Sequence, residues 1–422
     1  MNYKKTEIKK GITLHQINTD KFKTNLIAVF LTTQLNRENV TKNALISSIL
    51  RRGNNKLKTQ EEISKKLEEM YGAGFDCGLD KTGDNQVLKF YIETVNDNFL
   101  PKKGDNILQE SIENILDIVL NPYIEKDGFK EVYLEQEKNN IKQIIEGKID
   151  NKSRYALDRC IEEMYKNENF GLYKYGYIED LEKITNKELY EHYKNLINNC
   201  KIDIFVSGII DDKLQEIIIN NENIQKLNDR EAKYEKAQIL NKPEKEENVV
   251  TENMDITQGK LIIGLDLNID DEQLIFDAVL YNSILGGSAN SKLFQNVREK
   301  AHLAYVASSS YSRYKSNIFI KCGIEIENYE KAVEIIRKQL EDMANGDFSE
   351  SDIQNSKKGI IAGIKTIDDE QDTQITFYFG QELSNNPIEA QEYIKKIQNV
   401  KKENIINIAK KVKINTIYFL RN

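Results

Sequence analysis

The sequence predicts an α+β fold made of two duplicated halves, each a mainly antiparallel sheet with helices packed on one face. The chain repeats one order of apolar and amphipathic segments, and its strands and helices occur in clusters without regular βαβ alternation. Its 422 residues also exceed what one core ordinarily accommodates. We therefore expect an N-terminal half at residues 1–219, a charged linker at 220–259 and a C-terminal half at 260–422.

The repeat begins with an apolar strand-like run that a helical stretch follows. Asn25–Leu31 (NLIAVFL) is matched by Lys260–Leu267 (KLIIGLDL). An amphipathic helix then precedes a strand pair that includes Asn85–Glu93 (NQVLKFYIE) in one half and Asn317–Glu325 (NIFIKCGIE) in the other. The alternating apolar residues of these strands suit a one-sided antiparallel sheet. We therefore predict the same fold twice.

The segment between the halves differs from both in composition. It is rich in Lys, Glu and Asn, and it contains Pro243. Such a segment cannot bury much apolar surface, so we expect a partly helical linker.

The overall composition indicates a globular protein and disfavours nucleic acid as a main partner. Hydrophobic residues make up 39% and charged residues 30% of the chain. Lys and Glu are interleaved along the sequence, and the net charge is -8. No basic stripe is available to neutralise a phosphate backbone. No apolar stretch follows the first lysines, and no later run is long enough to span a membrane. We therefore expect a cytoplasmic protein with no membrane partner.

The chain contains only three histidines, so hypotheses of metal binding can be tested one by one. We expect His15 in a hairpin, His192 in the middle of a helix and His302 in the motif described next. A structural zinc site needs close pairs of Cys or His, and a catalytic site usually needs two His on one helical face. Neither pattern is present, so we predict no metal site. An unrecognised ligand set remains the alternative.

The most informative segment is Leu285–Tyr311, LGGSANSKLFQNVREKAHLAYVASSSY. We predict that one helix carries both Arg298 and Tyr305. Seven residues span nearly two helical turns, so both side chains would point to about the same face and reach one peptide carbonyl or carboxylate. The alternative is that Tyr305 packs in the core while Arg298 pairs with Glu299 or a neighbouring carboxylate.

This segment resembles the C-terminal-half signature of the insulinase/pitrilysin family of zinc peptidases, which includes mitochondrial-processing-peptidase-like bacterial members. The resemblance covers nearly the whole chain, because the family is also built from two duplicated α+β halves. It implies that Arg298 and Tyr305 hold the substrate backbone and stabilise the oxyanion. Among bacterial members, the chain is similar to a subgroup labelled as associated with 5-aminopentanol modification of elongation factor P.

The zinc motif of this family, His-x-x-Glu-His, would fall on the ALISS stretch of the first half. Ala44 and Ser48 then stand at the two His positions, and Ser47 stands at the position of the catalytic Glu. None of these side chains can bind Zn²⁺ and deprotonate its water. The distal Glu ligand would lie near Glu146, which we interpret as an exposed helical residue. The resemblance therefore implies a degenerate site without metal.

Family members of this length often work as heterodimers, and the resemblance implies the same here. A homologous partner would carry the zinc motif, and this chain would contribute Arg298 and Tyr305 to the binding of a substrate peptide. We expect the chain to be inactive alone and to hold no cofactor, with Zn²⁺ in the partner. The alternative is a non-catalytic scaffold or peptide-binding protein of the same fold.

Overall fold

The computed structural model describes residues 2–101, 104, 106–235, 246–267, 269, 274–384 and 387–422 of the chain. The chain divides into two compact units, and each contains a large sheet. The N-terminal unit comprises Met1–Glu146, Leu172–Glu235 and Ile367–Leu383. The C-terminal unit comprises Gly147–Gly171, Lys236–Thr366 and Ser384–Asn422.

The strands and α-helices of the described residues follow in chain order. The strands are β1 (Asn2–Lys9), β2 (Ile12–Asn18), β3 (Thr24–Gln34), β4 (Gly74–Thr82), β5 (Asn85–Val95), β6 (Ile124–Glu125), β7 (Gly128–Phe129), β8 (Lys201–Gly208), β9 (Asn248–Asn253), β10 (Gly259–Leu267), β11 (Ala304–Ser312), β12 (Asn317–Ile324) and β13 (Val412–Arg421). The helices are α1 (Val40–Ile49), α2 (Gln60–Glu69), α3 (Ile107–Leu120), α4 (Glu131–Glu146), α5 (Lys152–Met164), α6 (Ile178–Leu181), α7 (Asn186–Asn199), α8 (Leu214–Asn220), α9 (Glu222–Lys226), α10 (Ile275–Gly286), α11 (Tyr329–Asn345), α12 (Glu350–Lys365), α13 (Gln371–Leu383), α14 (Ala390–Asn399) and α15 (Lys402–Ala409).

The sheet of the N-terminal unit has the strand order β1-β2-β8-β3-β5-β4. Its pairs are antiparallel except for the parallel pair β2–β8. On central strand β3, Ile27, Val29 and Leu31 enter the core shared with α1, α3 and α7. Phe30 points to the opposite face, where its ring packs edge-on against Phe379 of α13 at 4.8 Å between centroids. Both faces of β3 are therefore buried, which explains its continuous apolar run.

The sheet of the C-terminal unit has the strand order β11-β12-β10-β13-β9. Its pairs are antiparallel except for the parallel pair β9–β13. On central strand β10, Leu261, Ile263 and Leu265 enter the main core, which α10, α11 and α15 share. Ile262 belongs to a second apolar cluster, to which Cys160 of α5 contributes. Helix α5 therefore covers the second face of this sheet.

The predicted α+β fold with two sheet-containing halves is confirmed. Each compact unit also includes one helix from the other half of the sequence, α13 in the N-terminal unit and α5 in the C-terminal unit. Within the predicted linker, Asn248–Asn253 forms strand β9 beside β13. Residues 236–245, with Pro243, lie outside the described residues. The proposed boundaries at residues 219 and 259 stay a prediction.

The four cysteines form no disulfide, and Cys160, Cys200 and Cys322 are buried while Cys77 is half-buried. Within the described ranges, no helix combines the length and the apolar character needed to cross a membrane.

Candidate functional site

Arg298 lies on a short π-helical segment, Phe294–Lys300. Its guanidinium carbon lies 4.6 Å from the centroid of the Phe294 ring, and its Nε lies 3.5 Å from Oε1 of Glu299. The side chain is 44% exposed, so these contacts leave it accessible to solvent. Widened helical turns of this kind frequently occur at functional sites.

The helix that carries Arg298 ends before Tyr305, so the prediction of one helix through both residues is wrong. The amide of Leu303 donates to the carbonyl oxygen of Val297 at 3.0 Å, and His302 adopts a left-handed conformation with φ of 54°. The amide of His302 also donates to the carbonyl oxygen of Arg298 at 3.1 Å. A left-handed residue after the last turn is a common way for a helix to stop. Arg298 and Tyr305 therefore do not share one helical face.

Tyr305 belongs to edge strand β11, where it forms a β-bulge. Ala304 pairs with Ile324 of β12 and Val306 pairs with Gly323, so Tyr305 is an extra residue without a partner in the register. A bulge bends its strand and redirects a side chain. Tyr305 is 69% exposed, and the alternative that it packs in the core is therefore wrong.

The bulged strand is fixed in place by helix α10. A Cβ atom on Gly286 would lie 2.5 Å from the backbone nitrogen of Ser309, so only glycine allows this close approach. Ser309 Oγ in turn donates to Oδ1 of Asn282 at 2.8 Å. Gly286 thus has a packing role, because it brings α10 close to the strand that presents Tyr305.

The degenerate zinc-motif positions lie on α1, which packs against α4, α7 and the sheet of the N-terminal unit. Ala44 is fully buried in the apolar core, Ser47 is buried and Ser48 is half-buried. A methyl group and two hydroxyl groups offer neither the imidazoles nor the general base of a catalytic zinc site. The residues present therefore do not fit a zinc ion.

An ion pair links α4 to the turn after α1. The guanidinium of Arg52 contacts the carboxylate of Glu137, which is 1% exposed, and Nδ2 of Asn140 donates to the same carboxylate at 3.1 Å. Glu146 is exposed at the end of α4, as expected, and its Oε1 lies 3.9 Å from Nζ of Lys142. Arg52 and Glu137 thus form a largely buried ion pair in this part of the unit.

His192 of α7 also lies beside α1, and its chemistry is that of a neutral structural histidine. Its Nε2 lies 2.8 Å from Oδ1 of Asn43, whose Nδ2 donates to Oε1 of Gln86 at 2.9 Å. Burial, with a smaller contribution from Lys42, lowers the pKa of His192 to about 4. In the part of the chain that the structure describes, no three His, Cys, Asp or Glu side chains lie together so that they could hold a metal ion.

The family profile described as Peptidase M16 inactive domain matches residues 183–360. The probable inactive metalloprotease YmfF of Bacillus subtilis (strain 168) is 34% identical over 418 residues, which cover 97% of this chain and 96% of that protein. The uncharacterized zinc protease YmxG of the same strain is 27% identical over 256 residues, 60% of each protein.

Solved structures show the same fold over the full length. A conserved protein from Enterococcus faecalis V583 has a TM-score of 0.89 at 27% identity, covering 100% of this chain and 99% of that chain. A peptidase M16 inactive domain from Pseudomonas fluorescens has a TM-score of 0.79 at 16% identity, with 100% and 98% covered, which shows the fold alone. By its full-length likeness to YmfF, the chain belongs to the peptidase M16 family of insulinase/pitrilysin-like zinc peptidases.

Proposed function

We propose that this chain is the catalytically incomplete subunit of a heterodimeric zinc peptidase and supplies Arg298 and Tyr305 to a homologous, zinc-bearing partner chain. The observation that carries the proposal is the bulge that turns Tyr305 outward beside the helix of Arg298. A large aromatic residue left this exposed, on a strand fixed by close packing, is suited to contact a ligand.

The two side chains suit different parts of a peptide undergoing hydrolysis. The Arg298 guanidinium can donate several hydrogen bonds in a fixed plane to carbonyl or carboxylate oxygens of the substrate. The Tyr305 hydroxyl can donate one hydrogen bond to the oxygen on which negative charge develops. The activated water would come from the zinc site of the partner, because Ala44, Ser47 and Ser48 cannot form one here.

Strand β11 offers a route for the substrate backbone. Among the strands that the structure describes it pairs only with β12, at the edge of the sheet, and the consecutive residues Tyr305 and Val306 are both exposed on it. An extended peptide can add to such an edge through backbone hydrogen bonds, with little demand on its sequence. We place the substrate peptide along β11, in a cytoplasmic enzyme that engages neither nucleic acid nor a membrane.

A second candidate function is a non-catalytic scaffold or peptide-binding protein. The contacts of Arg298 with Phe294 and Glu299 favour it, because they hold the guanidinium within its own helix. In this case the chain would bind a peptide or the partner without changing the rate of hydrolysis.

The deciding experiment measures peptide hydrolysis by this chain reconstituted with a zinc-motif homologue from the same host. Arg298→Ala and Tyr305→Phe are compared with the native chain. Loss of one oxyanion donor should reduce kcat by about 100-fold, because that bond is strongest in the transition state. Arg337→Ala is the matched control for Arg298, since both side chains are 44% exposed in the C-terminal unit.

Tyr71→Phe, at another partly exposed tyrosine, provides the control for the second variant. Both controls should retain full turnover, and size-exclusion chromatography should show an intact heterodimer in every case. Undiminished turnover with Arg298→Ala and Tyr305→Phe would exclude the shared site and leave the scaffold function. Stoichiometric zinc in the purified chain alone would contradict the assignment of a degenerate site.

A further inference from the structure

A buried series of hydrogen-bonding side chains joins four elements of the N-terminal unit. His15 of β2 has no exposed surface, and its Nδ1 lies 2.8 Å from the hydroxyl of Tyr3 on β1. Its Nε2 lies 3.0 Å from Oδ1 of Asp203 on β8, which is also fully buried. The Tyr3 hydroxyl donates to Oε1 of Glu382 on α13 at 3.1 Å. These four residues are called the His15 network below.

Counting protons fixes the state in which the whole network is satisfied. Its three atom pairs at hydrogen-bond distance need one proton each. Ionised carboxylates only accept, so Asp203 and Glu382 contribute none. Tyr3 contributes one proton, which it donates to Glu382. The two remaining protons must come from His15, so all three bonds exist together only when both of its ring nitrogens are protonated.

The surroundings of Asp203 favour its ionised form. Burial opposes the charge of Asp203, but Lys201 Nζ at 3.4 Å, the imidazole and the Tyr234 hydroxyl at 2.8 Å outweigh it and lower the pKa of Asp203. At the other end, the ammonium group of Lys5 contacts Oε2 of Glu382. Each carboxylate of the network therefore has a cationic neighbour.

Every element packed around the imidazole contributes a titratable or charged group. These are Tyr3 and Lys5 on β1, Lys201 and Asp203 on β8, Tyr234 in the segment after α9, and Tyr378 and Glu382 on α13. Burial is the largest cause that raises the pKa of the Tyr3 and Tyr234 hydroxyls, so both stay protonated. Both hydroxyls therefore remain hydrogen-bond donors to a carboxylate, Tyr3 to Glu382 and Tyr234 to Asp203.

We propose that the titration of His15 controls how firmly the C-terminal end of α13 is held on the N-terminal sheet. With both ring nitrogens protonated, Tyr3 accepts from His15 and donates to Glu382. After His15 loses one proton, one of the three pairs has no proton between its atoms and the polar link to α13 weakens. The network is thus a pH-sensitive polar link, which we call the clasp, between the N-terminal sheet and α13, a helix from the other half of the sequence.

The clasp acts on one end of α13 only. At the N-terminal end, Nε2 of Gln371 donates to the carbonyl oxygen of Ser207 at 2.7 Å, and Ser207 Oγ donates to Oε1 of Gln374 at 2.8 Å. These amide and hydroxyl groups do not titrate in the range of histidine. The first turns of α13 therefore serve as an internal reference for any change at Tyr378 and Glu382.

Amide hydrogen exchange of the full chain tests the clasp between about pH 5 and about pH 9, which brackets the ordinary titration of histidine. After correction for intrinsic exchange, protection of the last turns of α13 should fall about fivefold to tenfold as pH rises, the effect of losing one hydrogen bond. Protection of the first turns should stay constant. In Tyr3→Phe the ring still stacks on Tyr378, but the pH dependence should disappear.

Two further variants separate the clasp from other causes. His192→Gln alters a histidine that contacts Asn43 and should leave the pH response of α13 unchanged. His15→Gln identifies the His15 signals in ¹⁵N spectra, which should show both ring nitrogens protonated at about pH 5. Equal α13 protection at both extremes of pH would overturn the proposal, as would a Tyr3→Phe variant that keeps the native pH response. If His15→Gln fails to fold, Tyr3→Phe alone decides.

Discussion

The backbone amide of Leu303 donates to the carbonyl oxygen of Val297 at 3.0 Å, and this bond ends the helix that carries Arg298. Between them, His302 takes a left-handed conformation with φ of 54°. The chain can therefore enter β11 immediately, and the bulge places Tyr305 outside the sheet register. The presentation of Tyr305 depends on a helix stop that glycine usually provides.

Substitution of His302 tests the strain at this helix stop. An L residue with a Cβ atom is disfavoured in the left-handed region, whereas glycine is not. We expect His302→Gly to be more stable than His302→Ala by about 1 kcal/mol, measured as the free energy of unfolding in urea. The two variants both lack the imidazole, so their difference reports backbone conformation. Equal stability of the two would argue against a left-handed residue 302.

The ion pair between Arg52 and Glu137 leads to a second prediction. Glu137 is 1% exposed, so Arg52→Ala leaves a buried carboxylate without its cationic partner. We expect a loss of about 3 kcal/mol in the free energy of unfolding. The double variant Arg52→Met with Glu137→Leu removes both charges and should recover most of that loss. A double variant no more stable than Arg52→Ala would show that packing dominates the effect.

Much of the fold could be predicted because its signals are local. The duplicated strand and helix patterns identify two α+β halves, and the count of histidines excludes the usual zinc site. The exchange of α5 and α13 could not be predicted, because an amphipathic pattern shows that a helix has a buried face but not which sheet covers it.

The geometry of the candidate site was harder to predict, for a specific physical reason. Apolar residues at helical spacing continue from Leu293 through Val297 to Ala304, so the pattern gives no sign that the helix stops. The left-handed residue is a histidine, and a turn signal would have been a glycine. The bulge at Tyr305 depends on its pairing with β12, which no local pattern encodes.

His192 predicts how stability changes in mild acid. Burial lowers its folded-state pKa from 6.5 to about 4. Between these values the unfolded chain binds a proton on this histidine and the folded chain does not, so stability falls as pH falls. By about pH 4, the protonation of His192 in the unfolded chain lowers the free energy of unfolding by an amount on the order of 2 kcal/mol. His192→Gln should lack this contribution, because its amide can still donate to Asn43 but does not titrate.

Urea unfolding of the native chain and of His192→Gln at about pH 7 and about pH 4.5 measures this contribution. All other titratable groups are common to both proteins, so their contributions cancel in the difference. The stability of the native chain relative to the variant should therefore be lower at the acidic pH. If the difference in free energy of unfolding between the native chain and His192→Gln is the same at both pH values, His192 has the same pKa in the folded and unfolded chains. Its burial beside Asn43 would then not affect stability.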